Sequence, residues 1–156
     1  MDPMFVVLVE RLAPKCASLA AMKPLKYGEL PADMPEAGVY MFSTPAENLY
    51  VGRSDDLRGR YGRHCRPGAT DRQAAFAFKL ARIETGYTKA SYIAGEGSRK
   101  WLMEQPEFIA AFTNAKALIR TLEYRYVEEA DPNRQALLEI YCTVVLGAKH
   151  NDFENH

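Results

Sequence analysis

Apolar residues recur at helical spacing along residues 2–22 (Phe5, Leu8, Val9, Leu12, Leu19), and Pro14 interrupts the pattern. A Pro-rich connector, KPLKYGELPADMPEAG, leads into two runs rich in Val, Tyr and Phe, GVYMFS and NLYVGRS. The turn TPAEN between them makes this a β-hairpin. Ser54 then suits an N-cap, and Asp55 and Asp56 suit the positive end of the helix that follows. Gly59 and Gly62 inside that helix cost about 1 kcal/mol each relative to Ala, which a packing surface needing close backbone approach would offset. DRQAAFAFKLARIETG reads as a second amphipathic helix ending at Gly86. Residues 87–114 are the hardest to read and suggest helical pieces broken at Pro106; ALIRTLEYRYVEE then reads as a long strand. The clearest helix is DPNRQALLEIYCTVVLG, with Asp131 as cap, Pro132 in first position and Gly147 closing it. The order predicts an α+β fold: a small antiparallel three-stranded sheet, hairpin plus a later strand, flanked by helices.

The length of 156 residues fits one domain, with a helical extension over about 1–35 and a helical insert over about 87–114. Lys plus Arg and Asp plus Glu balance at 20 each, which argues mildly against a dedicated nucleic-acid binder, so any positive patch must be local. Cys16, Cys65 and Cys142 are odd in number and widely spaced, a pattern of buried thiols rather than of a disulfide framework or a zinc site. No run approaches a membrane span, the apolar N-terminal stretch is too short for a signal segment, and a cytoplasmic protein is expected.

The segment from Arg53 to Arg66 holds Arg53, Arg58, Arg60, Arg63 and Arg66 against Asp55 and Asp56, a local surplus that the overall balance hides. Arg60 and His64 are four apart on one helix face; a guanidinium grips phosphate and an imidazole titrates near neutrality, although such pairs are common on solvated faces. Tyr40 and Tyr50 sit on adjacent strands, where tyrosines usually pack a core. Gly38 and Gly52 bracket the hairpin where close backbone approach is useful, or simply end strands. Glu139 is the one charge in ALLEIYCTVVL and either faces water or serves a site; Glu123, Glu128 and Glu129 compete for that role. Trp101, the sole tryptophan, either stacks a base or anchors the 87–114 insert in a core. Asp152, Glu154 and His156 read as tail solubility.

GVY, nine residues, then YVG resembles the paired signature of the GIY-YIG nucleases. DLRGRYGRH is similar to that family's first helix, with its Arg at Arg60, and RQALLEIYCTVVLGAKHN is similar to its last, with the metal-binding Glu at Glu139 and the terminal Asn at Asn151. The resemblance covers residues 38–66 well and 117–151 moderately; Arg53 stands where many members carry Lys, and His150 where an aromatic often precedes the Asn. It implies a GIY-YIG-like fold and a divalent-metal-dependent endonuclease acting on nucleic acid, expected to be DNA, with Mg²⁺ or Mn²⁺ on Glu139. Arg60 would hold the scissile phosphate, Tyr40 would be the general base with His64 in support, and Tyr50 and Asn151 would position groups around the phosphate. Arg53, Arg58, Arg63 and Arg66 would meet the nucleic-acid backbone. A protein partner supplying specificity stays open. The alternative is a catalytically silent module of the same fold that binds nucleic acid or protein.

Overall fold

A computed structural model describes residues 1–88 and 94–153. Part of the 87–114 stretch, and the tail residues Glu154 and His156, lie outside the described residues. The chain forms two compact units, one of residues 1–60 and 122–151, the other of residues 61–121 with the C-terminal tail. The interrupting unit is therefore wider than the 87–114 insert read from the sequence.

In the first unit the N-terminal pattern becomes two helices, α1 (Pro3–Glu10) and α2 (Leu12–Ala21), which part at Arg11. Pro14 has no N–H to continue the ladder from Glu10, so the helix restarts rather than bending through. The sheet runs in the order β2 (Asn48–Ser54), β1 (Gly38–Ser43), β3 (Glu123–Glu128), antiparallel throughout. The expected α+β class and three-stranded sheet are both present. The strand expected from residue 117 is shorter, because residues up to Ile119 belong to a helix and only Glu123–Glu128 pair with β1. Ala117, Leu118 and Ile119 continue an apolar helical period that outweighs their strand propensity.

One sheet face carries Val39, Met41 and Val51, which close a core with Leu12, Cys16 and Leu19 of α2 and with Leu138 and Cys142 of α7 (Pro132–Leu146). The other face is aromatic: Tyr40, Phe42 and Tyr124 are all buried, with ring centroids 5.2–5.9 Å apart. The period of two along a strand separates the sets. Helix α7 has the caps its sequence announces: the Asp131 carboxylate accepts from Arg134 N–H, and Gly147 takes a left-handed φ of 63°. Gly38 is needed for the reason expected, since a Cβ there would lie 2.0 Å from the Val127 carbonyl oxygen.

Helix α3 (Leu57–Cys65) starts in the first unit. Its cap is Asp56, whose Oδ1 accepts from Gly59 N–H at 3.0 Å; Ser54 Oγ instead takes the Asp56 N–H at 2.9 Å, so the cap falls two residues later than expected. Gly62 faces no close backbone, only the Arg66 stem at 3.8 Å, so close packing does not explain it.

The second unit is built on α4 (Ala75–Thr85), the single turn α5 (Arg99–Leu102) and α6 (Pro106–Ile119). Phe78 meets Phe108 and Phe112 edge-on at 5.1 and 6.2 Å. The helix expected from residue 71 begins at Ala75. Pro106 opens α6, and Gly86 ends α4 with a φ of 85°. Buried Lys116 donates to the carbonyls of Pro67 and Ala69, both at 2.8 Å, holding the loop after α3.

Candidate active site

Tyr40 is opposite Gly52 on one side and Tyr126 on the other. A Cβ at Gly52 would lie 2.3 Å from the Tyr40 hydroxyl and 2.4 Å from Cζ, so the phenol lies across the bare backbone of β2. Tyr50 stands 6.4 Å from Tyr40, ring to ring. The hairpin register thus puts both signature tyrosines and the signature glycine on one face, because residues 50 and 52 of β2 are two apart and share that face with residue 40 of β1.

Charge links this face to α7 and α3. Burial pushes Tyr40 well above the usual phenol range; Tyr50 adds to this, Arg60 pulls against it, and Tyr124 and Glu139 raise it further. Tyr50 is raised by burial and then by Glu139, with Arg60 again opposing. Glu139 is raised by burial against the pull of Arg53 and Arg60. Arg60 therefore acts on all three acids, and desolvation outweighs it in each. At neutral pH the two phenols hold their protons. Arg60 is half-buried, and its Nε is buried with no hydrogen-bond partner among the described residues.

Glu139 Oε2 accepts from Arg53 Nε at 3.1 Å, with the two side chains 24% and 46% exposed. The competing carboxylates are placed otherwise. Glu129 is buried against Arg134 at 3.0 Å and the Asp131 N–H, and Glu123 faces Arg125 at 3.6 Å. Glu128 is exposed, and its carbonyl accepts from Lys15. Among the described residues no three His, Cys, Asp or Glu side chains gather into a closed metal cage. A single partly exposed carboxylate suits Mg²⁺, which keeps several waters and takes oxygens from substrate phosphate.

Asn151 acts on backbone. Its Oδ1 accepts from Val51 N–H at 2.8 Å and its Nδ2 donates to the Val51 carbonyl at 2.7 Å. With Lys149 N–H on Asn48 and His150 N–H on Leu49, the segment seals the outer edge of β2. The asparagine holds the strand that carries Tyr50 and Gly52. Arg58 donates to the Pro31 carbonyl.

The sequence-read residues are divided by the unit boundary. Tyr40, Tyr50, Arg53, Arg58, Arg60, Glu139 and Asn151 fall in the first unit, and Arg63, His64 and Arg66 in the second. His64 is fully buried and Arg66 exposed. Reading the sequence missed Tyr124 and Tyr126, although the alternation EYRYVE marks them as one face of β3. It also missed the Arg53–Glu139 pair, which joins residues 86 apart and has no local signal. Comparison with family models, curated proteins and solved structures finds no match for this chain.

Proposed function

We propose that the first unit is a phosphodiesterase site of the GIY-YIG kind, and that the protein is a divalent-metal-dependent endonuclease acting on nucleic acid, DNA foremost. The observation that carries this reading is Arg60: a half-buried guanidinium, whose buried Nε has no hydrogen-bond partner among the described residues, acts electrostatically on two phenols and a carboxylate. A phosphate diester supplies the acceptors such a group calls for. Arg60 would bind the scissile phosphate and offset the charge that grows on it. Glu139, steadied by Arg53, would hold Mg²⁺ or Mn²⁺, which when bound supplies Lewis-acid stabilisation of the leaving oxygen. Tyr40 would hold and move the proton of the attacking water at its Oη, with Tyr50 orienting the phosphate and Asn151 holding β2 in register.

A second reading, a silent module that binds without cutting, is favoured by one observation: burial keeps the Tyr40 proton in place, which is the wrong state for a base at neutral pH. A cleavage screen over duplex, branched and single-stranded DNA and RNA, with Mg²⁺ or Mn²⁺, separates the two. Metal-dependent cleavage that Glu139→Gln abolishes and Arg60→Lys severely impairs is the expected result, because Lys offers a point charge where Arg offers a planar fork. Full activity in Glu139→Gln would remove the metal assignment, and no cleavage of any substrate by the intact chain would leave the silent reading.

A further inference from the structure

The loop that follows α3 gathers cations from several elements, all within the second unit. Cys65 ends α3, and its carbonyl accepts from Arg120, which follows α6. Four residues earlier, Lys116 Nζ donates to the carbonyls of Pro67 and Ala69, both at 2.8 Å. Arg99 of α5 donates to the Asp71 carbonyl at 2.6 Å and faces its carboxylate at 3.6 Å. The loop itself adds Arg66 and Arg72, and Lys100 joins Arg72 and Arg99 around a hollow of about 350 Å³. Six cations thus converge on residues 65–72.

These donors are hydrogen-bonded more fully than they are neutralised. Lys116 and Arg120 are held by carbonyl oxygens, which carry no net charge. The carboxylates that the structure places here are Asp71, which answers Arg99, and Glu104 in the wall of the hollow. Six cations against two carboxylates leave a surplus of four, of which the C-terminal end of α3 offsets about half a charge. The field is felt inside the fold. Burial lowers the Lys116 pKa and Arg120 lowers it further, while burial raises Cys65 against the pull of Arg120 and then of Arg66. Glu107 does not balance it, since it stands in the first turn of α6, about 20 Å along the helix axis from Arg120. Arg66, Arg72 and Lys100 are exposed, so theirs are the charges that a ligand meets. None of the exposed large apolar side chains among the described residues belongs to this loop. The loop therefore offers neither the apolar anchor of a protein interface nor that of a lipid surface. Guanidinium and ammonium groups on a fixed loop suit phosphate.

We propose that the 65–72 loop and the start of α5 form a docking surface for the phosphate backbone of nucleic acid, met by Arg66, Arg72 and Lys100 without regard to sequence. Lys116 fixes the loop before binding, which lessens the ordering that binding imposes. Arg72 and Lys100 lie outside the stretch on which the family resemblance rests. The inference depends on the proposed nuclease reading only in sharing nucleic acid as the ligand.

The full chain in EDTA is titrated with a short labelled DNA duplex across a range of salt, and binding is read by fluorescence anisotropy. Arg66→Gln, Arg72→Gln and Lys100→Gln should each lower the slope of log affinity against log salt by about one. Arg72→Lys should keep the slope, because the charge stays. Lys23→Gln, at an exposed position of the first unit, should leave it unchanged. Slopes unmoved in all three Gln variants of the loop and α5, an equal fall in Lys23→Gln, or no binding of the duplex by the intact chain would overturn the proposal. Cleavage by the intact chain with those slopes unmoved removes the docking surface alone; lowered slopes without cleavage of any substrate remove the nuclease reading and leave the surface.

Discussion

Replacing Gly52 by Ala tests how the Tyr40 phenol is held. The new Cβ would stand 2.3 Å from Oη, 2.4 Å from Cζ and 3.0 Å from Cε1 of Tyr40, against an ordinary contact of 3.4–4 Å. The ring would have to retreat by more than an ångström. It has little room to do so, at 2% exposed with Phe42 and Tyr124 each 5.9 Å away. Overpacking of this kind costs about 1–3 kcal/mol, and a clash with a buried ring belongs at the upper end. Ala recovers up to about 1 kcal/mol by restricting the unfolded chain. The net loss should be about 2 kcal/mol, a Tm lower by about 4–8 °C in a chain of this size. Urea unfolding should show a lower midpoint at unchanged slope. Tyr40→Phe removes only the hydroxyl and leaves the Cζ clash, so it should not rescue Gly52→Ala; Tyr40→Leu removes both atoms and should. Gly62→Ala is the control with the opposite sign: its Cβ meets only the Arg66 stem, and the exchange should stabilise α3 by about 0.5–1 kcal/mol. If Gly52→Ala costs less than about 0.5 kcal/mol, or costs as much beside Tyr40→Leu as beside Tyr40, the phenol is not held by that glycine.

Asn151→Ala should destabilise by about 2–4 kcal/mol, because it leaves the N–H and carbonyl of fully buried Val51 without their partners; a loss under about 0.5 kcal/mol in urea unfolding would show that the strand edge does not depend on it. Tyr40 and Tyr50 have folded pKa values above 10, so the folded state keeps protons that the unfolded state releases, and stability must fall as pH rises past 10. Phenolate absorbance in an alkaline titration should show these tyrosines ionising only as the chain unfolds, and titration of all nine near pH 10 with the fold intact would refute their burial.

The parts of the fold that could be read from sequence are those whose determinants lie within one element. Asp131, Pro132 and Gly147 mark both ends of α7 because cap and stop chemistry is local. The hairpin follows from two short β-rich runs and a turn. The end of α6 was misread for a physical reason: Ala117–Leu122 is apolar enough for either structure, and tertiary context, not propensity, decides. The α3 cap sits at Asp56 and not at Ser54 because the two acceptors, two residues apart, take different N–H groups: Ser54 Oγ takes that of Asp56, and Asp56 Oδ1 takes that of Gly59 in the first turn.

The site was legible to a different depth. Residue types alone suggest the proposed phosphate-handling set, but the contacts that join its members link positions far apart along the chain. Nothing near Glu139 announces that Arg53 holds its carboxylate, and nothing near Asn151 announces that its amide is engaged by Val51. These two contacts have opposite consequences. The Asn151 clamp is part-buried and two-pointed, so it fixes β2 and through it the ledge on which Tyr40 lies. The Arg53–Glu139 pair is partly exposed and single, so it is worth at most about 1 kcal/mol and can be exchanged. On the proposed reading, a cation arriving with a phosphate would meet a carboxylate already aimed by a weak partner, while the strand under the Tyr40 phenol is held by the stronger Asn151 clamp. On the proposed nuclease reading, the rigid element is thus the one that must not move during proton transfer, and the exchangeable one is the group that has to admit a ligand.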